Sequence, residues 1–143
     1  MEQITFFKNP AAAPSPLDAR FGMHTAEHAL RFARSLPEYS PTPLRRLDRL
    51  AAELHLGALH VKDESPRFGL NSFKALGGSY AVACALGERL GLEGGVPTFA
   101  CLTSDEIQRQ LDGVALVTAT DGNHGRGIAW TARQLGLPCT VYM

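Results

Sequence analysis

Three clusters in the 143-residue sequence carry side chains whose types and spacing could do chemistry. The first is Asn71-Ser72-Phe73-Lys74-Ala75-Leu76-Gly77-Gly78. A lysine in the first turn of a helix opposes the helix dipole, which favours cations at the other end. Two glycines in the following turn cost about 1 kcal/mol each relative to alanine. Ordinary helix construction asks for neither feature, and together they clear space for a flat ligand beside a primary amine. An amine that attacks a carbonyl must be neutral. Moving a lysine from its reference pKa near 10.4 into the catalytic range of about 7–8 requires about 4 kcal/mol. A helix end supplies only about 0.3–1 kcal/mol. Burial, or a cationic or conjugated neighbour, must supply the rest. Without such help Lys74 reads as a solvated lysine at a helix start.

The second cluster is Thr120-Asp121-Gly122-Asn123-His124-Gly125, followed by Arg126-Gly127. It falls between a strand and a helix, at the strand's carboxyl end, where open α/β sheets bind ligands. Asp121 and Asn123 can each cap the helix or present polar groups to a ligand. Gly122, Gly125 and Gly127 allow close backbone approach. The dinucleotide fingerprint is absent, because Gly125-Arg126-Gly127 lacks the third glycine. Simple turn chemistry, with Asp121 as a cap, is the competing reading. The third cluster, His24-Thr25-Ala26-Glu27-His28, matches an inverted zinc motif with two histidines on one helix face. No third ligand follows it, so a solvated helix face is the plainer reading.

The elements that must position these groups can be read from periodicity. His24 to Leu36 reads as a helix stopped by Pro37, Pro41 and Pro43. Leu44, Leu47, Leu50, Ala51 and Leu54 recur at helical spacing, which predicts an amphipathic helix over 44–56 with Gly57 as its C-terminal cap. Leu59 to Lys62 alternates as a short strand. Asn71 or Ser72 caps a helix running to about Leu90, with Phe73, Leu76 and Tyr80 as its apolar stripe. Ser104 can cap a short helix with Asp105 and Glu106 in its first turn. Val114 to Ala119 is a β-branched strand, 121–125 a tight turn, and Arg126 to Leu135 a helix closed by Gly136 and Pro138. Thr140 to Met143 starts another strand. Such alternation predicts βαβ units and a parallel sheet with helices on both faces. The stretch 1–16 reads as an irregular arm. Val141-Tyr142-Met143 ends in a strand without a following element, which reads as the front part of a longer protein.

Composition narrows the function class. Lys and Arg number 14 and Asp and Glu 14, for zero net charge and a pI near 7.0. Nucleic-acid binding and polybasic membrane attachment both need a basic surplus. Hydrophobic residues at 45% and charged residues at 20% fit a globular domain. Cys84, Cys101 and Cys139 are too few and scattered for a disulfide framework and read as small buried hydrophobes. No signal peptide and no apolar run of about 18 residues is seen, so a cytoplasmic setting is the expectation.

Together with Thr42-Pro43-Leu44 and Lys62-Asp63-Glu64-Ser65, the first two clusters form a known order. The strings Arg67-Phe68-Gly69-Leu70-Asn71, Phe73-Lys74, Leu76-Gly77-Gly78 and Thr120 to Gly127 complete it. The chain resembles the fold-type II pyridoxal-phosphate enzymes, the group of threonine dehydratase and cysteine synthase. Within that group it looks most like the diaminopropionate ammonia-lyases. The similarity extends to Phe6-Phe7 and to 39–44. Dehydratases of the group usually carry Arg-Gly after the lysine, where this chain has Leu76-Gly77, and Ser or Ala in place of Asp121.

The resemblance implies an incomplete α/β fold of the tryptophan synthase β-like kind, with a parallel sheet flanked by helices. It makes 1–143 the front part of a lyase, with an arm and helix over 1–40. The cofactor-lysine region and the start of the small domain would occupy 41–143. Lys74 would hold pyridoxal phosphate as an imine, and Asn123 would hydrogen-bond its phenolic oxygen. Phe73 and Gly122 would complete the cofactor contacts on this part of the chain. The implied reaction is α,β-elimination of 2,3-diaminopropionate to pyruvate and ammonia. Lys74 would serve as base for the L form and Asp121 for the D form, since one fixed base cannot reach both faces. The family's glycine-rich phosphate loop would follow residue 143. The implied partners are a small amino-acid substrate and a second copy of the full-length chain, with neither nucleic acid nor membrane. The alternatives are a serine or threonine dehydratase, a non-catalytic remnant, and a zinc protein built on His24 and His28.

Overall fold

The computed structural model of the chain describes residues 21–93 and 95–143. The arm read over 1–16, including Phe6-Phe7, lies outside them. The described chain is a mixed α/β structure. Its elements are α1 (Met23–Ser35), β1 (Leu44–Arg46), α2 (Asp48–Glu53), β2 (His60–Lys62), α3 (Lys74–Arg89), α4 (Phe99–Leu102), α5 (Asp105–Gln110), β3 (Leu116–Ala119), α6 (Asn123–Gln134) and β4 (Cys139–Tyr142). A 3-10 turn, Arg67–Gly69, precedes α3.

Two helices, α3 and α6, form the centre. The face of α3 toward the core is made of small residues, Ala75, Gly78, Ser79 and Ala83, with Val82 and Leu86. Small residues let helix backbones approach, and α6 answers with Gly127 and Ile128. Phe32, Leu36, Leu102, Ile107, Leu111 and Leu135 extend the core from α1, α4, α5 and the end of α6. Both central helices end in the same way. Gly91 and Gly136 take φ of 63° and 69°, a left-handed conformation that glycine adopts without a Cβ clash. Leu92 N–H then reaches Gly87 O at 3.0 Å, and Leu137 N–H reaches Ala132 O at 2.9 Å. These bonds satisfy carbonyls left over at each helix end.

β3 and β4 pair in parallel, from Leu116 opposite Cys139 to Ala119 opposite Tyr142, with α6 as the crossover. Alternate residues Leu116, Thr118, Cys139 and Val141 turn toward α6. The other face carries Val117, 66% exposed, and Tyr142. The expected βαβ unit is therefore present, but among the described residues helices cover only one face of this pair.

Other expectations need correction. The helix predicted over 44–56 is a strand followed by a short helix. β1 pairs antiparallel with β2, Leu44 opposite Lys62, so its backbone groups are taken by a distant strand. Leu47 N–H to Leu59 O and Asp63 N–H to Pro43 O, both 2.9 Å, extend that pairing. The leucine period there meets no core, and Leu44 is 63% exposed. Gly57 does not close α2. His55 does, at φ 55°, with Leu56 N–H on Ala51 O at 2.8 Å. The helix expected from Arg126 begins three residues earlier, at Asn123, because Arg126 N–H already bonds Gly122 O at 3.2 Å. The three cysteines are half-buried thiols, not fully buried ones.

Candidate active site

Lys74 opens α3, and the residues around its backbone explain its place. Phe73 caps the helix without a side-chain bond, while Ser72 Oγ accepts the Lys74 N–H at 3.3 Å. Phe73 is 61% exposed and so leaves the apolar stripe assigned to it, which Leu76 and Tyr80 keep. The Lys74 side chain is exposed, and among the described residues no hydrogen bond joins its amine to Asp121 or Asn123.

The second cluster lies at the carboxyl end of β3. Asp121 and Gly122 form the turn, and Asn123 is the first residue of α6. Gly122 is the cap, and no side chain bonds the helix start, so the capping role read for Asp121 and Asn123 is not what they do. Asn123 Oδ1 instead accepts from Arg126 Nη1 at 3.4 Å. Asp121, Gly122, Asn123 and His124 are all exposed. A cleft of about 360 Å³ lies against this turn, lined by Thr120, Asp121, Gly122, Arg126 and Val141 among others.

The two clusters are joined by helix packing. A Cβ on Gly127 would stand 3.0 Å from Ala75 Cα, 3.1 Å from Ala75 N and 3.3 Å from Lys74 C. Gly127 follows Asn123 by one helical turn, so the lysine's own backbone is seated within a turn of the α6 start. A Cβ on Gly77 or on Gly122, by contrast, would meet nothing within 4 Å. The molecule thus holds an exposed amine and an exposed helix start on packed helices, with bare glycine backbone at each. That arrangement fits a flat aldehyde cofactor: an amine to bind it, an amide to hydrogen-bond it, and room for its ring.

A group that sequence reasoning left without a role holds the approach to Lys74. Arg67 is 4% exposed. Its Nε donates to Glu64 Oε2 at 2.8 Å, its Nη1 to Ser40 O at 2.7 Å, and its Nη2 to Thr42 Oγ1 at 3.2 Å. Thr42 in turn donates its hydroxyl to Glu64. The next residue, Phe68, has φ 50° and is buried in a stack on Trp130 of α6, with ring centroids 4.4 Å apart. A left-handed non-glycine residue costs about 1–2 kcal/mol, and the stack and the ion pair offset it. No local period marks such a group, because its partners come from 40–42, 64 and 130.

The Arg67 guanidinium, with help from the Thr42 hydroxyl, holds the Glu64 carboxyl below its usual 4.5, against the opposing effect of burial. A carboxyl depressed in this way adds stability that is present above its ordinary pKa and lost as pH falls through the folded value. Glu64→Gln should therefore cost about 3 kcal/mol at neutral pH, the low end for a broken buried pair, since Glu64 keeps 17% exposure. As pH falls from 4.5 through the lowered folded value wild type and variant should converge, because Glu64 is then protonated and both side chains are neutral. Urea midpoints at the two pH values check this, and a gap that persists in acid would refute it.

The His24 and His28 rings lie 4.2 Å apart, centroid to centroid, tilted by 41°. Among the described residues no group of three His, Cys, Asp or Glu could hold a metal, so the zinc alternative finds no third ligand there.

The mixed α/β fold, with an exposed amine and an exposed helix start on packed helices, is that of an α/β enzyme class that uses an aldehyde cofactor. The chain belongs to the pyridoxal-phosphate dependent enzyme family, whose sequence profile matches residues 36–143. It is 49% identical over 132 residues to a diaminopropionate ammonia-lyase of Salmonella typhimurium, covering 92% of this chain and 32% of that protein. It is 42% identical over 130 residues to the Escherichia coli K12 enzyme of the same name, covering 90% and 31%. The crystal structure of the Escherichia coli enzyme in complex with D-serine superposes with a TM-score of 0.76 at 42% identity, covering 88% of this chain and 31% of that one. The chain spans about a third of the length of these relatives. No described helix is long and apolar enough to cross a membrane.

Proposed function

We propose that this chain supplies the lysine-bearing part of a pyridoxal-phosphate dependent lyase that eliminates ammonia from 2,3-diaminopropionate of either configuration. In this reading 1–40 is the arm and first helix, and 41–143 is the cofactor-lysine region and the start of the small domain. The observation that carries it is the seating of the Lys74 and Ala75 backbone against Gly127, one turn from the α6 start, from which we read the exposed amine and the Asp121–Asn123 turn as sharing one rim. The 49% identity to a diaminopropionate ammonia-lyase supports the choice of substrate, and the D-serine complex of a relative supports a D-amino acid at this site.

Bound pyridoxal phosphate supplies an electron sink for the charge left at the substrate's Cα. Lys74 would hold the cofactor through its amine, and Asn123 would donate its amide N–H to it. Phe73 and Gly122 would lie beside it. The Lys74 amine, when free, would take the Cα proton of the L form. In the D form that proton lies on the opposite face, and the Asp121 carboxylate takes it. Loss of the β-amino group and uptake of one water give pyruvate and two ammonia. The setting is cytoplasmic and the assembly a homodimer.

Pyruvate release from each enantiomer by the protein carrying this chain tests the reading. Asp121→Asn should slow the D substrate by about 100- to 10,000-fold, the usual worth of a general base, and leave the L substrate within a few fold. Equal losses on both would make Asp121 structural. A serine dehydratase is the second reading, favoured by 36% identity to a probable D-serine dehydratase. Faster pyruvate release from serine than from diaminopropionate would select it.

A further inference from the structure

Between β2 and α3 the backbone takes three left-handed residues in a short span: Phe68 at φ 50°, Gly69 at 66° and Asn71 at 53°. Strained backbone persists only where its surroundings over-determine it, and it gathers at functional sites. Here the surroundings are specific. Arg67 uses Nε, Nη1 and Nη2 on Glu64, Ser40 and Thr42, and its guanidinium lies 5.2 Å from the Tyr39 ring centroid. Phe68 is stacked on Trp130, a residue of the same helix that starts at Asn123. The corner is therefore bolted at one end to the segment before β1 and at the other to α6. It then delivers Ser72, whose hydroxyl accepts the Lys74 N–H. A buried ion pair is a weak source of stability compared with apolar packing of the same volume. What a guanidinium fork does supply is a fixed orientation.

We propose that Arg67 is a positioning residue for Lys74: the Glu64–Arg67–Thr42 clamp fixes the left-handed corner, and the corner fixes where the amine stands against the α6 turn. This rests on the reading of Lys74 as the cofactor lysine. The sequence makes it testable, because Lys8, Lys62 and Lys74 are the lysines present. Lys62 is already engaged, its Nζ donating to Thr42 O.

The experiment exposes the protein carrying this chain to pyridoxal phosphate, reduces it with borohydride and maps the labelled peptides. Wild type should carry its label at Lys74 in preference to Lys8 and Lys62. Arg67→Lys keeps the charge but loses the fork, and should lower the Lys74 to Lys8 labelling ratio at least tenfold with circular dichroism unchanged. Leu111→Val, a core change away from the corner, should lower the melting temperature and keep the wild-type ratio. If Arg67→Lys fails to fold, Thr42→Val, which removes one clamp bond, should still lower the ratio several-fold. Wild-type labelling in a folded Arg67→Lys, or in Thr42→Val where Arg67→Lys is unfolded, overturns the positioning role alone. No preference for Lys74 in wild type overturns the cofactor-lysine reading itself.

Discussion

Lys74→Ala is expected to abolish the visible absorbance of lysine-bound pyridoxal phosphate in the protein carrying this chain, and to cut pyruvate formation by about 10,000-fold or more. The size follows from what one side chain is asked to do. In the proposed mechanism the same amine binds the cofactor and takes the Cα proton of the L substrate, so both roles would vanish together. Replacement from within this chain is poor, because Lys62 is committed to the Thr42 carbonyl. The fold should not suffer. Lys74 is exposed at a helix start, where a change to alanine stays within about 0.5 kcal/mol. A spectrum, a borohydride trap and a urea midpoint on the same preparation separate these effects. A variant that still holds the bound chromophore would remove Lys74 from the mechanism. A variant that unfolds would show that the lysine is structural.

Gly127→Ala should destabilise the protein although it adds a single methyl within α6. In an open helix this substitution gains about 1 kcal/mol. Here the new Cβ would stand 3.0 Å from Ala75 Cα and 3.1 Å from Ala75 N. Those are backbone atoms and cannot rotate aside, so α3 must move. Overpacking of this kind costs about 1–3 kcal/mol, which outweighs the propensity gain. The net loss should appear as a lower urea midpoint, and the displaced α3 should carry Lys74 away from Asn123, lowering cofactor retention too. Gly77→Ala is the contrast. Its Cβ meets nothing within 4 Å, so stability should rise by up to about 1 kcal/mol, while cofactor retention falls if the ring occupies that space. A Gly127→Ala protein as stable as wild type would show that the helices slide apart freely, and the shared rim would lose its basis.

Much of the fold is legible in the order of residues. Ser104 with Asp105 and Glu106 specifies a helix start, and Ser104 Oγ accepts from Ile107 N–H there. The β-branched run before Thr120, the helix after it and the final strand form the parallel pair. Local signals succeed where the partners are a few residues away. They fail at Leu44, where a helical leucine period is overruled by a strand some fifteen residues on. They fail again at α2, where His55 takes the left-handed position that Gly57 seemed made for.

The chain alone determined which atoms can react: a primary amine at 74, a carboxylate at 121, an amide at 123, and glycines placed where side chains would be in the way. These are chemical identities, and covalent structure suffices for them. Only the tertiary structure decided that the backbone of Lys74 and Ala75 packs within a turn of the α6 start, because that depends on Gly127 meeting Ala75 across two helices. It also decided what Arg67 is for. A guanidinium is surface charge or buried clamp according to its neighbours, and Ser40, Thr42 and Glu64 become its neighbours only when the chain has folded.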